Sequence, residues 1–170
     1  MNLAACILLS LSLIPGPDPG SLDVRREFHT SFFSEEKLLV FIRANDMPET
    51  NQTLAYKGLG RAMMAEHVFS PWTKYKCFTE GRDMVEKAID DEPANAELRY
   101  IRLLLQLNTP PILGYDENVD EDFDMLTRAF KDGSIEDVWR ETFVQNLLQG
   151  QHLDEKHLKI LQDYSKSARK

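Results

Sequence analysis

From Gly20 to the C-terminus, apolar residues recur at three- and four-residue intervals, and no stretch alternates as a β-strand would. Proline, glycine and asparagine interrupt this helical pattern repeatedly. Asn45 to Pro48 separates one pair of apolar segments, and Asn108 to Pro111 separates another pair. Short helices with short connections pack as antiparallel neighbours. The sequence therefore predicts an all-α fold, built as a short stack of antiparallel helical hairpins.

The spacing predicts eight helices, which lie at about 22–33, 35–44, 53–68, 76–91, 95–107, 119–131, 134–150 and 154–166. The fifth is apolar nearly all round, so we expect it to be the central buried helix. Ser34 and Asn118 are predicted to cap the second and sixth helices. Ser134 to Asp137 resembles a capping box that would begin the seventh helix after a stop at Gly133.

Two glycines, Gly58 and Gly60, fall inside the predicted third helix. A glycine in a helix interior costs up to about 1 kcal/mol relative to alanine. We therefore expect a close helix–helix contact at this point, where a side chain would not fit.

The first 20 residues are predicted to be a signal-like segment, and residues 21–170 a single helical repeat-like domain. Residues 3–14 are apolar except for two serines, and a run rich in proline and glycine follows at 15–20. The apolar segment at 3–14 is too short to span a membrane and has the length of the apolar region of a secretory signal. We therefore expect an exported, periplasmic protein without an integral membrane span in its mature chain. No Lys or Arg precedes the run, so a buried first helix or a misread start codon stays possible.

Composition and motifs exclude several functions. The chain has 170 residues, and 28 Asp and Glu against 20 Lys and Arg give a net charge of −8, which argues against nucleic-acid binding. The four histidines show no zinc-ligand spacing. Residues 116–124 are acidic, but Glu121 and Thr127 stand where a calcium-binding loop needs Gly and Glu. No nucleophile or nucleotide motif occurs. We expect no cofactor, no metal and no catalytic residue.

Two segments carry a resemblance to a known family. Ala88 and Pro93 have the spacing found at the junction between two repeats of the tetratricopeptide family, and Gly81 and Val85 fall at matching positions of the second helix. The aromatic–Leu–Gly pattern of the first helix is matched upstream, at Tyr56, Leu59, Gly60 and Met63. The segment between them is about nine residues longer than the family spacing, and we predict that this insert centres on residues 69–76. The resemblance covers about residues 54–104 and implies a degenerate tetratricopeptide-like stack with a binding groove.

The chain is also similar to small, exported, uncharacterised helical proteins of Bacteroidota. The matching features are AYKGLGRAM, Pro71 with Lys74, the junction at Pro93, and PPILGY followed by Asn118. This similarity implies the same fold and the same export, and it adds no catalytic residue.

The resemblance implies a non-catalytic adaptor whose groove binds a protein or peptide, and basic side chains there would suit an acidic one. The candidate binding residues are Lys57, Arg61, Trp72, Tyr75, Arg99, Arg102, Gln106 and Tyr115. Two of these assignments have alternatives. Arg99 and Arg102 could instead pair internally with the acids at 116–124, and the aromatic insert could pack onto its own hairpin. The alternative function is a small helical enzyme or a ligand-binding protein of the cell envelope.

Overall fold

The computed structural model describes residues 24–30 and 34–167, and these residues form eight α-helices and no strand. The predicted all-α class is therefore confirmed, whereas the signal-like segment at 1–20 lies outside the described residues. The helices are α1 (Val24–Thr30), α2 (Glu35–Arg43), α3 (Asn51–Met63), α4 (Pro71–Asp91), α5 (Ala96–Gln106), α6 (Val119–Asp132), α7 (Asp137–Leu147) and α8 (Glu155–Ser167). Two 3₁₀ turns lie at Met64–Glu66 and Pro111–Leu113.

Neighbouring helices pack side by side, most extensively α3 against α4 and α5 against α6. Helix α5 also contacts α3, α4 and α7. Ten of its eleven residues are buried, from Glu97 to Gln106. This burial confirms that α5 is the central helix, as its apolar sequence predicted.

The seam between α3 and α4 is closed by two glycines that face each other. A Cβ atom on Gly58 would lie 2.7 Å from the carbonyl oxygen of Gly81, and one on Gly81 would lie 2.6 Å from the backbone nitrogen of Ala62. Backbone atoms cannot move aside as a flexible side chain can. Only glycine therefore fits at this crossing, which confirms the close contact predicted at Gly58. Gly60 is different, because a Cβ there would make ordinary 3.5 Å contacts with α2.

The helix ends were predicted with mixed success. Ser34 caps α2 as expected, since its hydroxyl accepts from the backbone nitrogen of Lys37, and Gly133 ends α6 with φ of +78°. Asn118 is the N-cap residue of α6, as predicted, although its side chain makes no capping hydrogen bond. The capping box predicted at Ser134 was wrong: α7 begins at Asp137, and the backbone nitrogen of Ser134 donates to the carboxylate of Asp132.

A polar cluster lies in the interior beneath α1. His29 is fully buried, with its Nε2 3.4 Å from the hydroxyl of Tyr56 and its Nδ1 3.3 Å from the side-chain amide of Asn146. Tyr56 donates to the carboxylate of Glu97 at 2.7 Å, which leaves His29 Nε2 as the donor to the tyrosine. Burial, with a smaller effect of Arg25, lowers the pKa of His29 to about 3. The imidazole is therefore neutral at physiological pH.

Candidate functional site

Helix α4 begins five residues earlier than the sequence predicted. Ser70 is its N-cap and accepts from the backbone nitrogen of Thr73, and Pro71 occupies the first turn. Proline fits at that position because the first backbone nitrogens of a helix need no partner within it. The insert predicted around Phe69 to Lys76 is thus mostly helix. It extends α4 beyond the part that packs against α3.

This extension exposes three aromatic side chains. Phe69 is 99% exposed, Trp72 76% and Tyr75 49%, and we call these three residues the aromatic face. They are spaced three residues apart, and the ring centroids of Trp72 and Tyr75 lie 6.3 Å apart. The alternative that the insert packs onto its own hairpin is wrong for these side chains. Grouped exposed aromatic residues are typical of an interaction surface.

A second apolar element, the turn at Pro111–Leu113, is fixed to the side of α4 by Tyr115, two residues after the turn. Ile112 in this turn is almost fully exposed. Tyr115 lies with its ring edge-on to Phe78, at a centroid distance of 5.7 Å, and its hydroxyl donates to Glu86. Burial, followed by the contact with Glu86, raises the pKa of Tyr115. Tyr115 is therefore an anchor for this turn rather than an exposed binding residue.

The charges beside the aromatic face are positive. Lys74 and Lys76 are exposed, and no acidic residue occurs between positions 67 and 79. Glu80, directly after that stretch, lies 3.7 Å from the Lys76 Nζ and accepts hydrogen bonds from both Nε and Nη2 of Arg61. This contact with Arg61 lowers the pKa of Glu80. The negative charge of Glu80 is thus balanced by Arg61 on α3 and Lys76 on α4.

The two arginines of α5 do not face a groove. The Nε and Nη2 atoms of Arg102 both lie 2.7 Å from the carboxylate of Asp122 on α6, and its Nη1 lies 2.9 Å from Glu86 on α4. Arg99 donates to the same Asp122 carboxylate at 3.3 Å and to the carbonyl oxygen of Pro93. Burial raises the pKa of Asp122, although Arg102 and Arg99 oppose the increase. The internal pairing considered as an alternative is therefore confirmed.

The remaining predicted residues are also dispersed. Lys57 donates to the backbone oxygen of Ala44, and Arg61 pairs with Glu80. Gln106 is buried, and neither its amide nitrogen nor its amide oxygen has a partner among the described residues. Of the eight predicted residues, only Trp72 and Tyr75 stand together on an exposed surface.

The structure adds a polar cleft of about 600 Å³ that the sequence analysis missed. It lies between the start of α5 and the turn that joins α6 to α7. In its lining, Arg25 and Gln52 both donate to the carboxylate of Glu97, and Arg128 of α6 and Glu136 of the following turn also line the cleft. Arg25 and Glu97 are 72 positions apart. No local sequence signal could have joined them.

Two further findings concern the described residues. None of their His, Cys, Asp and Glu side chains form a group of three or more that could hold a metal ion. Within the same part of the chain, no helix combines the length and the apolar character needed to cross a membrane.

Comparison of the chain with family models, with curated proteins and with solved structures gives no match in any of the three. The relationship to tetratricopeptide repeats and to the Bacteroidota proteins therefore stays a prediction.

Proposed function

We propose that this protein is a non-catalytic adaptor that binds a polypeptide partner through the aromatic face. The observation that carries this proposal is the exposure of Phe69, Trp72 and Tyr75 at the start of one helix. Exposing such side chains has no role in stabilising the fold. Aromatic residues supply much of the binding energy where proteins meet.

The proposal moves the binding surface away from the groove that the resemblance implied. Arg99 and Arg102 are already paired with Asp122, and Lys57 and Arg61 are bonded within the hairpins. A partner would have to break these bonds before it could use the same cations. The aromatic face needs no such rearrangement.

Affinity capture with the tagged full-length chain tests the proposal. The bait carrying Trp72→Ser is compared with the parent, and Val40→Ser serves as a matched control because Val40 is 66% exposed on a different helix, α2. We expect a partner that is retained by the parent and by the Val40→Ser bait but lost from the Trp72→Ser bait. A partner retained equally by all three baits would contradict the proposal.

Export belongs to the same proposal. It is supported by the apolar run at residues 3–14 and the proline- and glycine-rich residues that follow. Sequencing the N-terminus of the protein purified from cells tests it. Removal of about the first 20 residues is expected, whereas an intact Met1 would contradict export by a cleaved signal.

The polar cleft favours a second candidate function, the binding of a small polar ligand. Its volume of about 600 Å³ is within the range of small-molecule sites. A thermal-shift screen of polar metabolites tests this candidate, with Arg128→Ala as the variant, since Arg128 is exposed at the cleft and is not needed for packing. A ligand that raises the Tm of the parent and not of the variant would support it. A screen without any such ligand would count against it.

A further inference from the structure

The partner's binding segment can be described by its chemistry. Resting on the proposed function of the aromatic face, we infer that this face binds a segment that combines carboxylates with apolar side chains. The inference depends on two properties of the same surface, its local charge and its exposed rings.

The local charge is opposite to that of the whole chain. The chain carries a net charge of −8, yet the 13 residues from His67 to Thr79 contain Lys74 and Lys76 and no acid. The first turn of α4 also lacks an acidic side chain, so the positive end of the helix dipole is not neutralised there. Complementary charge selects partners and increases the rate of association. A segment with carboxylates is therefore favoured over a basic one.

The exposed rings supply the apolar part of the contact. Trp72 and Tyr75 are tilted by 36° relative to each other, and the exposed Phe69 lies directly before the N-cap residue of the same helix. Three rings at this spacing present separate contact points for apolar side chains. A purely acidic segment would leave them exposed to water, so we expect the partner segment to alternate between acidic and apolar residues.

A polypeptide fits this surface better than an anionic membrane does. The whole chain carries a net charge of −8. An extended anionic surface would meet the field of the whole molecule within a Debye length of about 8–10 Å. A short segment places only a few charges in that field.

Selection from a random peptide display library on the immobilised full-length chain tests the inference. Binders that also bind the Trp72→Ser variant are removed by counter-selection. We expect the remaining peptides to be enriched in Asp and Glu together with Leu, Phe or Trp. Enriched peptides that are neutral or basic would overturn the inference and leave the proposed function intact. A library in which no peptide survives the counter-selection would contradict the proposed function itself.

Two matched variants and one lipid measurement complete the test. For a selected peptide, Lys74→Glu with Lys76→Glu is expected to weaken binding at least tenfold, because two attractive charges become repulsive. Lys131→Glu with Lys159→Glu, at exposed lysines on α6 and α8, makes the same change in net charge and is expected to change binding less than twofold. An equal effect of both changes would overturn the inference. Binding of the parent to phosphatidylglycerol vesicles, with loss in Trp72→Ser, would overturn it in favour of a membrane partner.

Discussion

The two parts of helix α4 differ in which kinds of side chain are exposed and which are buried. At its start, Phe69, Trp72 and Tyr75 are exposed, although aromatic side chains usually stabilise a protein by burial. Further along, Glu86 contacts Arg102, which is buried with Asp122, although charged side chains are usually exposed. The comparison shows that residue type alone does not reveal a binding site. The buried arginines pair within the fold, and the exposed rings form the surface that we propose for a partner.

The largest expected loss of stability follows from a change at the buried arginine, Arg102. Arg102→Ala removes two hydrogen bonds from the buried carboxylate of Asp122. The carboxylate then keeps only its longer hydrogen bond from Arg99. Breaking a buried pair by removing one partner costs about 3–5 kcal/mol of unfolding free energy. Urea unfolding measures the loss. Arg82→Ala is the control, because Arg82 pairs with Asp83 at the surface and should lose less than about 1 kcal/mol. Equal losses would mean that Arg102 is not structural.

The buried polar interior should also make stability depend on pH. The pKa of His29 is about 3 in the folded protein and 6.5 as the ordinary value, so below pH 6.5 the unfolded chain binds a proton that the folded protein excludes. The contribution of His29 is complete above pH 6.5 and decreases as the pH falls toward 3. Between pH 7 and pH 5 the unfolding free energy should decrease by about 2 kcal/mol from this group.

Denaturant unfolding at the two pH values checks this expectation. His152→Gln, at an exposed histidine, should keep the same pH dependence, whereas His29→Gln should reduce it. An identical change in stability between pH 7 and pH 5 in the parent and in His29→Gln would show that His29 is not buried as a neutral group.

The middle of α4 can be tested at the glycine seam. Gly81→Ala forces a Cβ against the backbone of α3 and should cost about 1–3 kcal/mol, even though alanine favours helix. Gly60→Ala has room for its methyl group, so it should be neutral or stabilising by up to about 1 kcal/mol. The difference between the two Tm values measures how much the close contact of α3 with α4 depends on glycine. A Gly81→Ala protein as stable as the parent would contradict the close packing of these two backbones.

The smallest effect on stability is expected at the exposed end. Trp72→Ser removes a ring that contacts mainly solvent and Tyr75, so the unfolding free energy should change by less than about 0.5 kcal/mol. Binding of the partner, in contrast, should be lost. Urea unfolding and capture on the same sample check both statements. A strongly destabilised Trp72→Ser protein would remove the distinction between the two ends of α4.

The sequence predicts the elements of this fold better than it predicts the site. Periodicity identified α5 as central, and Gly58 marked the contact of α3 with α4. The start of α4 was misplaced because Ser70 and Pro71 can end one helix or begin another. Only the tertiary structure decides between these two possibilities.

The site was harder to predict because side-chain direction depends on distant partners. Arg102 and Trp72 both fit a binding surface by residue type. Asp122, which is 20 positions away from Arg102, turns that arginine inward. Trp72 lies at the start of α4, where it is 76% exposed and its ring centroid is 6.3 Å from that of Tyr75. No local pattern distinguishes these two outcomes.

Iodide quenching of tryptophan fluorescence tests whether the aromatic face is exposed in the free protein. The chain has two tryptophans, and Trp72 is 76% exposed while Trp139 is 5% exposed. We expect two populations of emission in the free protein, one readily quenched and one protected, and Trp72→Phe should remove the quenched population alone. Protection of both tryptophans from iodide would contradict the exposure of Trp72, because the aromatic face would then already be covered in the free protein.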